Sequence, residues 1–382
     1  LRTANVSPWR KGPSRFRVTR DAGLGGLKPG VIWLLVMGLS GCGTSERRPH
    51  TLVGGNLEDL FRISDEIQIQ EEEGDIIGQI GAFLETEAGG FLIGDRILPR
   101  IRLYGPEGRL LAAAGSFGEG PFEFRNVRGI AQNSAGEILV TDVTLGRVTV
   151  FSSGLVPDTT FMPHPRPRGP ILRMGETLVM ENAPGTRSTA ISRVDPEGTP
   201  VWSVVPPSMA LIAANPYWGS TFSMPIAASS TLLATAISLA YPVYLYDGEG
   251  RLVDSLPLPP PSYRPTPTLA PGALTGPEVV QTRKEWLGSF EIIGNLAVVD
   301  DSLLVVTHGR LATTSTDRFQ ESHYAIDVYH LPSMRKVAED LDLPPGSVVL
   351  GGGTALYVLI KQPPEPWTIV RLEPLDREVL PL

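Results

Sequence analysis

Gly115-Ser116-Phe117-Gly118-Glu119-Gly120-Pro121-Phe122-Glu123-Phe124, then Val127-Arg128-Gly129-Ile130-Ala131, then Gly136-Glu137-Ile138-Leu139-Val140-Thr141-Asp142, then Gly146-Arg147-Val148-Thr149-Val150-Phe151 is the stretch that decides the fold. Residues 137–142 and 147–151 are short β-branched runs separated by a turn holding Gly146, which predicts two antiparallel strands. Arg147, Thr149 and Phe151 alternate with Val148 and Val150, so the two sides of the pleat differ. Asn133-Ser134-Ala135-Gly136 is the turn before them.

The hairpin recurs along the chain. Residues 100–104 lead into Gly105-Pro106-Glu107-Gly108, 190–194 into Asp195-Pro196-Glu197-Gly198, and 242–246 into Asp247-Gly248-Glu249-Gly250. Residues 325–329 lead into His330-Leu331-Pro332-Ser333, and 368–372 into Glu373-Pro374-Leu375-Asp376 with Glu378-Val379-Leu380 beyond. The runs end at Tyr104, Phe151, Val194, Tyr246, Tyr329 and Leu372, with gaps of 47, 43, 52, 83 and 43 residues. Four gaps match one propeller blade of about 40–50 residues. The long gap holds either two blades or one blade with an insertion. The insertion is preferred, because 256–277 is Pro-rich, with Leu258-Pro259-Pro260-Pro261, and 276–290 reads as a short helix or lid.

Before each hairpin runs an apolar segment, such as Phe91-Leu92-Ile93-Gly94-Asp95 or Leu303-Leu304-Val305-Val306-Thr307. Near-continuous apolar runs suit strands covered on both faces, as in blades stacked between two neighbours. The expected fold is therefore all-β: a six-bladed β-propeller of four-stranded antiparallel blades over residues 61–382, with seven blades as the alternative. A β-sandwich fits the constant period less well. Glu66-Ile67-Gln68-Ile69-Gln70 has no blade of its own and is expected to pair with the last blade and close the ring.

The unit at 115–151 resembles the NHL-type propeller repeat, and the chain as a whole is similar to NHL-repeat and TolB-like propellers. That resemblance implies a structural role for the Asp ending the second strand, with its carboxylate bonded to turn amides.

The N-terminus carries a different signal. Residues 1–41 hold seven Lys or Arg against one Asp, a net +6, so the total of −8 leaves −14 for the rest. Val31-Ile32-Trp33-Leu34-Leu35-Val36-Met37-Gly38-Leu39 is too short to span a bilayer, which needs about 20 residues, and fits the apolar part of a secretion signal. Leu39-Ser40-Gly41-Cys42 resembles a bacterial lipobox. The resemblance implies a signal peptide at 1–41 that is cleaved, a lipidated Cys42, and a flexible tether over 42–60. Its acyl chains would anchor the protein to the bilayer. Gly43, where Asp would favour the inner membrane, points to the periplasmic side of the outer membrane.

Composition narrows function. The acidic body argues against nucleic-acid binding, which needs a cationic face. Cys42 is the one cysteine, so no intrachain disulfide can form. Asp95 and Asp142 end second strands at matching places, and His308 follows another. These three are the candidates for a divalent metal in the central channel, against turn-amide bonding for the two aspartates. Tyr263, Arg264 and Trp286, in the 256–290 insertion, are candidate ligand contacts. Ala114-Gly115-Ser116-Phe117-Gly118 lies in a blade entry and lacks the strand-to-helix turn of a nucleophile elbow. No histidine pair has zinc spacing with a third ligand nearby. Pro163-His164-Pro165-Arg166-Pro167-Arg168 reads as an exposed connector or an anion contact. No catalytic residue is assigned. The favoured reading is a monomeric binding or scaffolding module for a protein, peptide or glycan, and the alternative is a metal-assisted hydrolase or lyase.

Overall fold

The structure is a computed structural model that describes residues 51–72, 76–185, 188–196, 198–209, 224–256, 259–267, 286, 288–310, 323–361 and 366–375. It is a six-bladed propeller of antiparallel four-stranded blades, one of which gains a fifth strand at its edge. Blades 1 to 4 span residues 80–114, 127–161, 166–204 and 226–256. Blade 5 spans 292–342, and blade 6 is 348–374 completed by Phe61–Gln68. Each of the six recurring runs is the third strand of one blade, so the 83-residue gap holds one blade and an insertion, and the seven-blade alternative falls away. Of that insertion, 259–267, 286 and 288–290 are described.

Burial depends on position within a blade. Second strands such as Phe91–Asp95 and Ile138–Asp142 are buried along their whole length. The outermost strands Pro157–Phe161 and Leu252–Leu256 are largely exposed. Core clusters form between neighbouring blades. Ala131, Val150, Ile171 and Met180 join blades 2 and 3, and Ala236, Leu245, Leu296 and Val306 join blades 4 and 5. At roughly 25 cal/mol per Å² of apolar surface removed from water, such interfaces bind the blades into one unit.

Phe61–Gln68 pairs antiparallel with Thr368–Pro374, setting Ile67 against Ile369, and so joins the start of the fold to its end. The Glu378-Val379-Leu380 strand expected at this edge lies outside the described residues. Glu85 of blade 1 clasps blade 6: its carboxylate accepts from Thr354 N (2.7 Å), Thr354 Oγ1 (2.6 Å) and Tyr357 Oη (2.8 Å). Phe83 packs on Tyr357 beside it, with ring centroids 4.8 Å apart.

Part of the 42–60 segment expected as a tether belongs to the fold. Leu52–Gly55 runs parallel along Arg335–Asp342 as a fifth strand of blade 5, and Leu57 and Leu60 are buried. The Gly54-Gly55-Asn56 run made this stretch read as turn and hid the strand, which covers an open sheet edge through its backbone groups. Residues 1–50, with Cys42, lie outside the described residues, and among the described residues no helix is long and apolar enough to cross a membrane.

Candidate functional site

The innermost strands of the six blades surround an axial cavity of about 410 Å³, in the size range of small-ligand pockets. Glycines let these strands approach. A Cβ on Gly129 would lie 2.5 Å from Ile171 N of the next blade, and one on Gly352 would lie 2.0 Å from the Val298 carbonyl oxygen.

Most of the wall is apolar or glycine, and its charged groups are Arg128, Arg168, Arg173 and Glu181. Arg173 is engaged by Glu87 (2.5 Å) and the Gly175 carbonyl (2.8 Å). Arg128 and Arg168 come from the innermost strands of blades 2 and 3, Val127–Gln132 and Arg166–Met174. Glu181 lies one strand out, in Thr177–Gly185. It reaches the cavity because the pairing of Arg166–Met174 with Thr177–Gly185 breaks register between Pro167 and Ile171, setting Arg168, Gly169 and Pro170 opposite it. A Cβ on Gly169 would lie 1.8 Å from Glu181 Oε2, so only glycine leaves room for the carboxyl group.

Glu181 is 2% exposed, and its Oε2 has no hydrogen-bond partner. Burial pushes its pKa up to about 7, against the opposing pull of Arg168, the Met224 amide and Arg128. Burial and the neighbouring Arg96 lower the Arg128 pKa, and Glu181 opposes them. Besides Arg173, which Glu87 neutralises, the wall thus carries two guanidinium groups and a carboxyl group whose pKa burial raises to about 7.

Asp95, Asp142 and His308 do not converge on this cavity, and its lining includes none of them. Each occupies the same register place in its own blade, opposite Ile80, Val127 and Ile293 beside the innermost-strand bulge. Asp95 accepts from the amides of Gly78, Gln79, Ile97 and Leu98 and pairs with buried Arg102 at 3.4 Å. Asp142 accepts from Arg125, Asn126, Thr144 and Leu145. Arg147 then holds the carbonyls of Glu119, Gly120 and Glu123. These two blades use the position to lock the incoming loop.

Blade 5 uses it differently. His308, 2% exposed, sets Nδ1 3.3 Å from Glu291 Oε2. Its Nε2 lies 3.5 Å from Asp327 Oδ1 and 3.6 Å from Asp340 Oδ1. Burial opposes its charge, but Asp327 and Glu291 outweigh burial, and its pKa is pushed up to about 9. Tyr241 of blade 4 donates to Asp327 Oδ2 (3.1 Å), and Lys336 Nζ lies 3.4 Å from the same oxygen. Burial first, then the Asp327 charge, keeps the Tyr241 phenol protonated well above the usual range. Of the insertion candidates, Tyr263 packs edge-on to Tyr241 and to His308, with centroids 5.0 and 6.1 Å apart. Trp286 packs on Phe290 within the core, and Arg264 is exposed, with its carbonyl accepting from Glu291 N. Of the three, Tyr263 approaches the His308 cluster with its side chain, and Arg264 touches it through its backbone.

Arg168 lies in the 163–168 segment expected as an exposed connector or an anion contact, whereas Arg128, Glu181 and the His308 partners Glu291, Asp327 and Asp340 were not singled out from the sequence. One signal was available: Arg128-Gly129 and Arg168-Gly169 are the same dipeptide 40 residues apart, one blade period. Pro167 and Pro170 disguised the second copy as a connector. An innermost strand has a free edge, where proline is tolerated.

No family model matches the chain, and no curated protein matches it in sequence. Solved structures share its fold. A Bacteroides fragilis protein described as exported aligns at 10% identity with a TM-score of 0.58, over 85% of this chain and 99% of that one. A DUF4221 family member from Bacteroides vulgatus aligns at 9% identity with a TM-score of 0.59, over 82% and 98%. Virginiamycin B lyase from Staphylococcus aureus aligns at 12% identity with a TM-score of 0.45, over 82% and 99%. At these identities the likeness concerns the fold alone.

Glu181 generates a pH test. Below about pH 4.5 its carboxyl is protonated in both the folded and the unfolded chain. Between about 4.5 and 7 the unfolded chain ionises and the folded one does not, so stability falls as pH rises and stays lower above 7. Urea unfolding across this range should show wild type losing about 3 kcal/mol relative to Glu181→Gln. Parallel curves for the two proteins would contradict the buried, near-neutral carboxyl.

Proposed function

We propose that this chain is an exported, lipid-anchored binding propeller, acting as a monomer, that takes a carboxylate-bearing group of a peptide or glycan into its axial cavity. The observation that carries this reading is the meeting of Arg128 and Arg168 with a near-neutral Glu181 in a wall built mostly from glycine and apolar side chains, where the further cation Arg173 is paired with Glu87. Guanidinium groups suit carboxylates because they offer paired donors in a plane. With Glu181 protonated the wall has a net positive charge and one added donor, and with Glu181 ionised it loses half of that charge. The cavity therefore favours an anionic group below pH 7.

A Glu-rich peptide and a galacturonate oligomer serve as probes, titrated calorimetrically at pH 6 and pH 8. Binding of either should be tighter at pH 6, and the difference should vanish in Glu181→Gln. Arg128→Ala and Arg168→Ala should each weaken it about 10- to 100-fold, the worth of a charge-assisted hydrogen bond. Binding that ignores these substitutions, or no binding of either probe, would reject the channel as a carboxylate site.

Attachment rests on separate support: the basic, apolar, small-residue and Cys42 order at the N-terminus, and a fold neighbour described as exported. Metabolic labelling with a fatty-acid analogue should mark the wild-type chain and leave Cys42→Ala unlabelled. Label retained by that variant would remove the anchor.

A further inference from the structure

We propose that His308, Asp327 and Asp340 bind a zinc-class divalent cation between blades 4 and 5, away from the channel, with Glu291 as the carboxylate that orients His308. The three donor atoms, His308 Nε2 and one oxygen of each aspartate, lie within 4.8 Å of one another. Nε2 stands 3.5 and 3.6 Å from the two oxygens, too far for a good hydrogen bond, and it has no hydrogen-bond partner. Two donors at a zinc–ligand distance of about 2.1 Å and a tetrahedral angle are separated by about 3.4 Å. For these two pairs the spacing that is poor for hydrogen bonding is the spacing a tetrahedral ion imposes, and the two aspartate oxygens lie within 4.8 Å of each other.

The surroundings support the same reading. Glu291 Oε2 at 3.3 Å from Nδ1 keeps a proton on that nitrogen, so a cation that takes the place of the Nε2 proton meets the Nε2 lone pair, the usual carboxylate–histidine–metal arrangement. Asp327 is held through Oδ2 by Tyr241, and its Oδ1 accepts the Asp340 amide (3.1 Å). Asp340 Oδ1 accepts the Ser262 hydroxyl. Each metal-facing oxygen thus keeps one lone pair for an ion. Asp340 has φ +55°, a left-handed conformation uncommon for a residue with a side chain, within a register break of the His323–His330 and Arg335–Asp342 pairing. The break turns its carboxylate toward His308.

Charge points the same way. Among the described residues, Glu291, Asp327 and Asp340 put three carboxylates around His308, and Lys336, the cation beside Asp327, is shared with Glu339. Even with His308 protonated the cluster is net negative in a half-dry site, and a divalent cation balances it. Imidazole with two carboxylates at tetrahedral spacing suits Zn²⁺ or Co²⁺ better than Mg²⁺ or Ca²⁺. Three protein donors leave a fourth position for water or an oxygen from a ligand.

The test uses the full chain with Zn²⁺ measured calorimetrically and Co²⁺ as a spectroscopic probe. Wild type should bind one Zn²⁺ per chain, and its Co²⁺ form should show the intense visible bands of tetrahedral coordination. His308→Gln and Asp340→Asn should lose binding at least about 100-fold, and Glu291→Gln should bind one ion about 10- to 100-fold more weakly. Asp340 is partly exposed, so its variant is expected to fold, checked by circular dichroism. No stoichiometric uptake by wild type, Co²⁺ bands of octahedral type, or equal affinity in His308→Gln and Asp340→Asn would each overturn the proposal.

Discussion

Closure of the ring is the constraint on which the rest of this structure depends. A blade buries its faces only against its neighbours, so an open row of six would leave two apolar faces in water. Phe61–Gln68 prevents this by adding the outer strand to blade 6 before the chain enters blade 1. The blade 6–blade 1 boundary then buries Ile67, Phe91, Tyr104, Tyr357 and Trp367 in one cluster, and the Glu85 clasp fixes its inner side. The axial cavity inherits its geometry from this closure, because it exists only while six innermost strands face one another. The His308 cluster is more local: its proposed ligands come from blade 5, and blade 4 adds Tyr241.

One register place shows how a repeated scaffold diversifies. In blades 1 and 2 an aspartate there gathers four amides and stays structural. In blade 5 a histidine takes the place, and the chain surrounds it with carboxylates. A carboxylate that gathers four amides has no coordination capacity to spare. An imidazole between two carboxylates, with one nitrogen unbonded, has it. The same backbone position thus serves as a loop lock in one blade and as a potential ligand in another.

Much of the architecture was legible in the sequence because the hairpin turns carry strong local chemistry. Asp247-Gly248-Glu249-Gly250 and Gly105-Pro106-Glu107-Gly108 mark their turns without tertiary help. Closure was legible because Ile67 and Ile69 alternate with polar residues in a stretch without a partner nearby. The innermost strands were harder. They are rich in glycine and proline because they crowd the axis, and Arg166–Met174 looks locally like a connector. The sites were harder still. Arg128, Arg168 and Glu181 meet only when two blades stand side by side, and Asp340 faces His308 only because a register break redirects it. Separations of 13 to 49 residues among Glu291, His308, Asp327 and Asp340 leave no local motif.

Native-state hydrogen exchange tests closure most directly. If the ring is held as one unit, amides of Phe61–Gln68 and Thr368–Pro374 exchange with the same opening free energy as those of buried second strands such as Phe91–Asp95 and Leu303–Arg310, because releasing the clasp unfolds the whole. Early exchange confined to Phe61–Gln68, with the other blades still fully protected, would contradict the account.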